Sequence, residues 1–254
     1  MPSIHLRVRM ALGVIASSVV ACSAPVVSSS PAVAKTSATA RADSLPNDIR
    51  WFRRSAEYRA LTRQAYGVAG EKLPELSRGL AAGTWGVIMD ADETVLDNSE
   101  YQRRLFVRDT VYSEATWAQW VRERAATAIP GAPEFTQRVH ALGGRVVIVT
   151  NRAESLCGPT RENLQSARIA TDLVLCQPPG PGDKNPRFQA VQNGTASPNF
   201  PKLTIVAWFG DNIQDFPLLT QAMRNDPRVL AEFGRRYFIL PNPMYGSWQQ
   251  LREP

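Results

Sequence analysis

Five short runs of almost uninterrupted apolar residues, set apart by helix-like stretches, constrain this chain most. They are Trp85–Met89 and residues 145–149, 172–176, 203–209 and 237–240. A strand with one face in water alternates apolar and polar residues. These do not, so both of their faces must be covered. Between them, residues 134–142 place Phe135, Val139 and Leu142 on one helical face, residues 161–167 read as a helix, and residues 214–224 read as another after an Asp-Asn start. Buried strands alternating with helices predict an α/β fold, a parallel sheet flanked by helices. Upstream, residues 46–66 and 71–80 read as helices. Residues 113–127, with Trp117 and Trp120, read as helical too and predict a small helical addition beside the sheet.

Open parallel sheets bind ligands beyond the carboxyl ends of their strands. The first run ends at Asp90, with Asp92 two residues on. The second ends at Thr150-Asn151. The fourth ends at Gly210-Asp211-Asn212, with Asp215 just beyond, and the fifth at Pro241-Asn242. Carboxylates or a hydroxyl at three separate strand ends predict one polar site.

Composition narrows its chemistry. Of 254 residues, 44% are hydrophobic and 20% charged, which is globular rather than disordered. There are two histidines, His5 and His140, and His5 lies in a segment read below as cleaved. Sites that need two histidines are therefore excluded, a helical zinc motif among them. Lysine is scarce: Lys35, Lys72, Lys184 and Lys202 are the whole set.

The amino terminus reads as an address. Arg7 and Arg9 precede an apolar run over residues 10–20, too short to span a bilayer, which ends in small residues before Cys22. Residues 1–21 are expected to be a cleaved secretory signal. Residues 22–45 are rich in Ser, Ala, Pro, Val and Thr without period and read as a flexible tether, leaving residues 46–254 as the folded domain. Cys157 and Cys176 would then occupy an oxidising compartment, paired or as two buried thiols.

Asp90, Asp92 and Asp211 brought together would repel unless a cation or a proton compensates. An all-oxygen donor set suits Mg²⁺. The calcium loop of an EF-hand fails, because its glycine and glutamate positions hold Val95 and Tyr101. Aspartate can also act as a nucleophile through an aspartyl-phosphate, and a second carboxyl two residues on can move the proton. Phosphoryl transfer further needs a hydroxyl and a positive charge, met by Thr150 and one lysine. Lys202 opens the fourth run, roughly 20 Å from the site at the strand's rise per residue. Lys184, in a loop after the third run, can reach it.

At these residues the sequence resembles the haloacid dehalogenase (HAD) superfamily, and within it the bacterial class C, lipoprotein-type acid phosphatases of subfamily IIIB. DADETVLDNSEYQ (residues 90–102), VIVTNR (147–152), DKNPRF (183–188) and GDNIQDF (210–216) resemble the four motifs in order, with PGAPEF (130–135) and LPNPMYGSW (240–248) as flanks. The resemblance implies Asp90 as nucleophile and Mg²⁺ ligand. It implies Asp92 as general acid/base with its main-chain carbonyl on the metal, Asp211 as a further ligand, and Asp215 in support of the metal's water. Thr150, with Asn151 beside it, and Lys184 would hold the phosphoryl group, and Trp117 and Tyr245 would stack an aromatic or nucleobase leaving group. The substrates implied are 5′-nucleotides and other aromatic phosphomonoesters, not nucleic acid polymers.

Val19-Val20-Ala21-Cys22 resembles a lipobox, which implies lipidation of Cys22 and anchoring at the bacterial envelope, with Ser23 favouring the outer membrane. Homodimers are common in the resembled family. Two departures stand out: Pro186 follows Lys184 closely, and residues 157–182 are rich in Pro and Gly. The competing readings are another HAD-type phosphotransferase and a non-catalytic ligand-binding surface lipoprotein. His140 and the Arg/aromatic cluster at residues 50–54 read as packed or solvated surface. The net charge of +6 falls by two once Arg7 and Arg9 are removed, which weakens any case for a nucleic acid partner.

Overall fold

The computed structural model describes residues 44–252. The expectations for the signal of residues 1–21, for lipidation at Cys22 and for the tether up to residue 43 lie outside the described residues. Helices α1 (Asn47–Arg54) and α2 (Ala56–Leu76) come first. Then follow β1 (Trp85–Met89), β2 (Leu96–Asp97), α3 (Ser99–Val107), α4 (Glu114–Glu123), β3 (Thr127–Ala128), α5 (Ala132–Ala141), β4 (Arg145–Ala153), α6 (Cys157–Ser166), β5 (Leu173–Gln177), α7 (Asn185–Asn193), β6 (Thr204–Gly210), α8 (Pro227–Leu230) and β7 (Tyr237–Ile239).

The five expected strands form one sheet in the order β5-β4-β1-β6-β7, and every pair is parallel. The alternation hidden in the apolar runs assigns its two faces. Val87 and Met89 pack with Phe52, Phe135 and Phe209 on one side, while Ile88 packs with Val147, Phe188 and Trp208 on the other. Strand β1 is central, and the chain leaves it towards β4 on one side and β6 on the other. That reversal opens a crevice at the carboxyl edge.

Several local expectations need correction. The break between the first helices falls at Ser55, not after residue 66. Ser55 is extended, and its hydroxyl accepts the Tyr58 N–H at 3.0 Å, capping α2. Helix α2 tolerates Pro74 near its end because the Gly70 carbonyl, which the missing proline N–H leaves free, accepts from Arg138 Nε at 2.8 Å. Residues 214–224 are not one helix but two short 3₁₀ turns, Ile213–Asp215 and Gln221–Met223. Pro217 holds Phe216 in an extended conformation between them. Strand β4 continues past Val149 to Ala153, and its register with β5 is irregular there. Pro186 sits in the first turn of α7, where its missing N–H costs nothing.

The addition expected at residues 113–127 is larger than one helix. Strands β2 and β3 pair antiparallel, and α3 and α4 project from them. Cys157 at the start of α6 and Cys176 on β5 form a disulfide, with Cα atoms 5.8 Å apart. His140 is a partly exposed residue whose Nε2 lies 2.7 Å from Asp172 Oδ2.

Candidate active site

The carboxyl edge gathers the acidic strand ends. Asp90 directly follows β1, and its N–H donates to the Phe209 carbonyl at 3.0 Å, fixing it at the seam with β6. Lys184, at the amino end of α7, donates through Nζ to Asp90 Oδ1 at 2.6 Å and to Asp215 Oδ1 at 2.7 Å. All three side chains are buried. Asp211 accepts from Asn242 Nδ2 at 2.8 Å and from Thr94 Oγ1 at 3.3 Å. Asp215 Oδ2 accepts the Asn212 N–H at 2.9 Å. Gly210 makes this turn possible: a Cβ there would lie 2.2 Å from the Asp215 Cβ.

One carboxylate oxygen from each of Asp90, Asp211 and Asp215 falls within a set whose members are all within 4.8 Å of one another. One lysine cannot balance three carboxylates. Burial pushes Asp211 well above the usual carboxylate range, and the charges of Asp215 and Asp90 push it further. Burial lifts Asp90 to about 7, against the pull of Lys184. Lys184 is held well above its ordinary value by Asp215 and Asp90, which outweigh its own burial. The site is short of positive charge, and its donors are oxygens. That donor set fits a hard divalent cation.

Asp92 faces the same cleft but not this trio. Arg152 forks onto it with Nε at 3.0 Å and Nη2 at 2.7 Å from Oδ1, and Asn98 Nδ2 adds a third bond to Oδ1 at 2.8 Å. Asn98 is fully buried. Its N–H donates to Glu93 Oε1 at 2.7 Å, and its Oδ1 accepts from Trp120 Nε1 at 2.8 Å. Glu93, also fully buried, has a positive φ of 52°. Burial holds its carboxyl well above the usual range, followed by the charges of Asp92 and Asp211.

A cleft of about 1270 Å³ opens over the carboxylates. Its wall includes Asp90, Asp92, Lys184, Asp211 and Asp215 together with Trp117 from α4 and Tyr245 from the carboxyl-terminal segment. The expected catalytic, charged and aromatic residues therefore meet in one place. Thr150 is fully buried and Asn151 takes the wall position, donating to the Gly182 carbonyl at 2.8 Å. Arg187 holds this stretch through the Thr150 carbonyl and Asn151 Oδ1, both at 2.5 Å. Asn242 was expected at the end of the fifth strand, whereas Arg152, Asn98, Glu93 and Arg187 were not singled out from the sequence. All four lie inside the motif stretches, and that position was the signal available for them.

A family model described as HAD superfamily, subfamily IIIB (Acid phosphatase) matches residues 11–248. The class C acid phosphatase structure from Bacillus anthracis is 27% identical, with a TM-score of 0.69 over 84% of this chain and 88% of that one. The same enzyme's structure with tungstate bound is 29% identical, with a TM-score of 0.70 over 80% and 85%. Acid phosphatase 1 of Solanum lycopersicum is 29% identical over 161 residues, which cover 62% of this chain and 57% of the tomato protein.

Proposed function

This chain belongs to the HAD superfamily, subfamily IIIB, the acid phosphatases, and from that premise we propose that it hydrolyses phosphomonoesters through an aspartyl-phosphate on Asp90. The observation that carries the reading is the Asp90 carboxylate at the central strand end, gripped by Lys184 at 2.6 Å, with Asp92 on the same cleft wall. Asp90 attacks phosphorus as the bond to the leaving oxygen breaks, and Asp92 gives that oxygen its proton. Asp92 then takes a proton from water as the water attacks phosphorus. Phosphate departs and Asp90 is restored. Lys184 favours the ionised form of Asp90 and offsets charge on the phosphoryl oxygens.

Asp90, Asp211 and Asp215 would hold Mg²⁺, which when bound supplies charge compensation for the transferring group. The tungstate bound by the Bacillus anthracis enzyme supports an oxyanion site, because tungstate has the tetrahedral shape of phosphate. Trp117 and Tyr245 on the cleft wall support 5′-nucleotides and other aromatic esters as substrates. The signal-like start, the lipobox-like Cys22 and the disulfide support a lipid-anchored protein of the bacterial envelope.

Purified mature protein should release phosphate from a chromogenic monoester with Mg²⁺ and lose that activity in EDTA. The Asp90→Asn protein should be inactive with Mg²⁺ present. Wild-type turnover by that variant would sink the reading.

A further inference from the structure

The two oxygens of the Asp92 carboxylate are not equivalent. Oδ1 accepts three bonds, from Arg152 Nη2 at 2.7 Å, Asn98 Nδ2 at 2.8 Å and Arg152 Nε at 3.0 Å. Oδ2 has one long contact, Arg152 Nε at 3.3 Å. An oxygen that already accepts three donors has no lone pair left to share a proton with a leaving group. The other oxygen does.

Both donors are themselves pinned. Arg152 is 1% exposed, and its guanidinium lies 5.3 Å from the centre of the Trp117 ring. Asn98 accepts from Trp120 Nε1 at 2.8 Å. Trp117 and Trp120 both belong to α4, so the helix that carries the aromatic wall of the cleft also braces the carboxylate. A fully buried guanidinium is costly without a strong partner, and its best partner here is Asp92.

We propose that Arg152 and Asn98 are positioning residues for proton delivery. They saturate Oδ1, turn Oδ2 of Asp92 to the leaving-group oxygen, and lock that orientation to the α4 addition through Trp117 and Trp120. This rests on the phosphomonoesterase reading above. In the step concerned, the bond from phosphorus to the leaving oxygen breaks, the bond to Asp90 forms, and the proton passes from Oδ2 to the departing oxygen.

The test uses leaving groups that differ in their need for that proton. A dinitrophenolate leaves without one, whereas an alkoxide does not. The kcat/KM value covers events up to phosphoenzyme formation, so it reads this step alone. It would be measured on a series from 2,4-dinitrophenyl phosphate through phenyl phosphate to glycerol phosphate. Arg152→Lys keeps the charge and loses the fork. It should fall at least 10-fold more on glycerol phosphate than on the dinitrophenyl ester. Asn98→Ser keeps the ion pair and should show the same tilt with smaller amplitude. Melting curves identify which variants are folded. A uniform loss across the series, or no loss, in whichever variant folds would overturn the proposal. Failure of the reading it rests on looks different: the wild type would then turn over no member of the series, or the Asp90→Asn protein would still turn over all of it.

Discussion

Lys184 donates to Asp90 at 2.6 Å from inside a site where both side chains are almost closed to water. Its ammonium also serves Asp215, so one cation holds two carboxylates together. Removing one member of a buried pair costs about 3–5 kcal/mol, because the other charge is left uncompensated. Lys184→Met should therefore melt well below the wild type, and Mg²⁺ should restore more stability to the variant than it adds to the wild type. Thermal melting with and without Mg²⁺ checks this. A variant as stable as the wild type in EDTA would show that the lysine charge does not hold the cluster.

Asp211 gives a test of the cation that needs no turnover. A ligand that binds only the folded state at 100 times its Kd stabilises it by about 2.7 kcal/mol. Mg²⁺ should raise the melting temperature of the wild type in proportion. Asp211→Asn should abolish the rise, because it removes one of the three converging carboxylates. An undiminished Mg²⁺ shift in that variant would move the cation elsewhere.

What the sequence revealed and what it hid have separate physical causes. The β1 boundaries, Asp90 and Asp211 were legible because a strand buried on both faces is a continuous apolar run, and because polar residues at its end stand out; Lys184 was legible because lysine is scarce and Lys202 lies at the far end of its strand. Arg152 was not, since nothing in a sequence says that an arginine will be 1% exposed. Its burial depends on Asp92, Asn98 and Trp117 arriving from distant parts of the chain. The helix expected over residues 214–224 rested on its Asp-Asn start, and Pro217 breaks it, because the proline ring disfavours the helical conformation at Phe216. The disulfide stayed open because only the fold supplies the distance between Cys157 and Cys176.

Trp117 should set the preference for aromatic leaving groups. Stacking on an aromatic side chain is worth about 1–3 kcal/mol per base. Trp117→Ala should raise KM for a nucleoside monophosphate roughly 5- to 150-fold by that measure, and change KM for glycerol phosphate little. Equal effects on both substrates would assign Trp117 to packing of the addition, where its ring meets Tyr101 at 5.2 Å.

Glu100 predicts a pH dependence outside the cleft. Its carboxylate accepts both Nε and Nη2 of Arg103 at 2.8 Å and also meets Arg104 and Arg53. The hydrogen bonds from Arg103 lower it from 4.5 to about 2, ahead of the opposing effect of burial. A depressed carboxyl stabilises the fold above its unfolded value and loses that contribution as pH falls through the folded one. Glu100→Gln should thus melt below the wild type at pH 6, and the gap should close between about pH 4.5 and pH 2. Salt should narrow it as well, because these side chains are partly exposed. A gap that does not change with pH would place the effect in packing.

The disulfide between Cys157 and Cys176 closes a loop with a sequence separation of 19. In the chain-entropy account, a link across a loop of this size stabilises by about 3 kcal/mol. The double variant Cys157→Ser/Cys176→Ser should melt lower by a corresponding amount. Neither sulfur belongs to the cleft wall, so turnover below the melting range should persist. Thermal melting in reductant separates this from a simple loss of packing. Reductant should bring the wild type down to the variant and leave the variant unmoved. If the wild type melts at the same temperature with and without reductant while its thiols titrate as free, the link contributes nothing, and the stability of this corner comes from the buried contacts of α6 on β5.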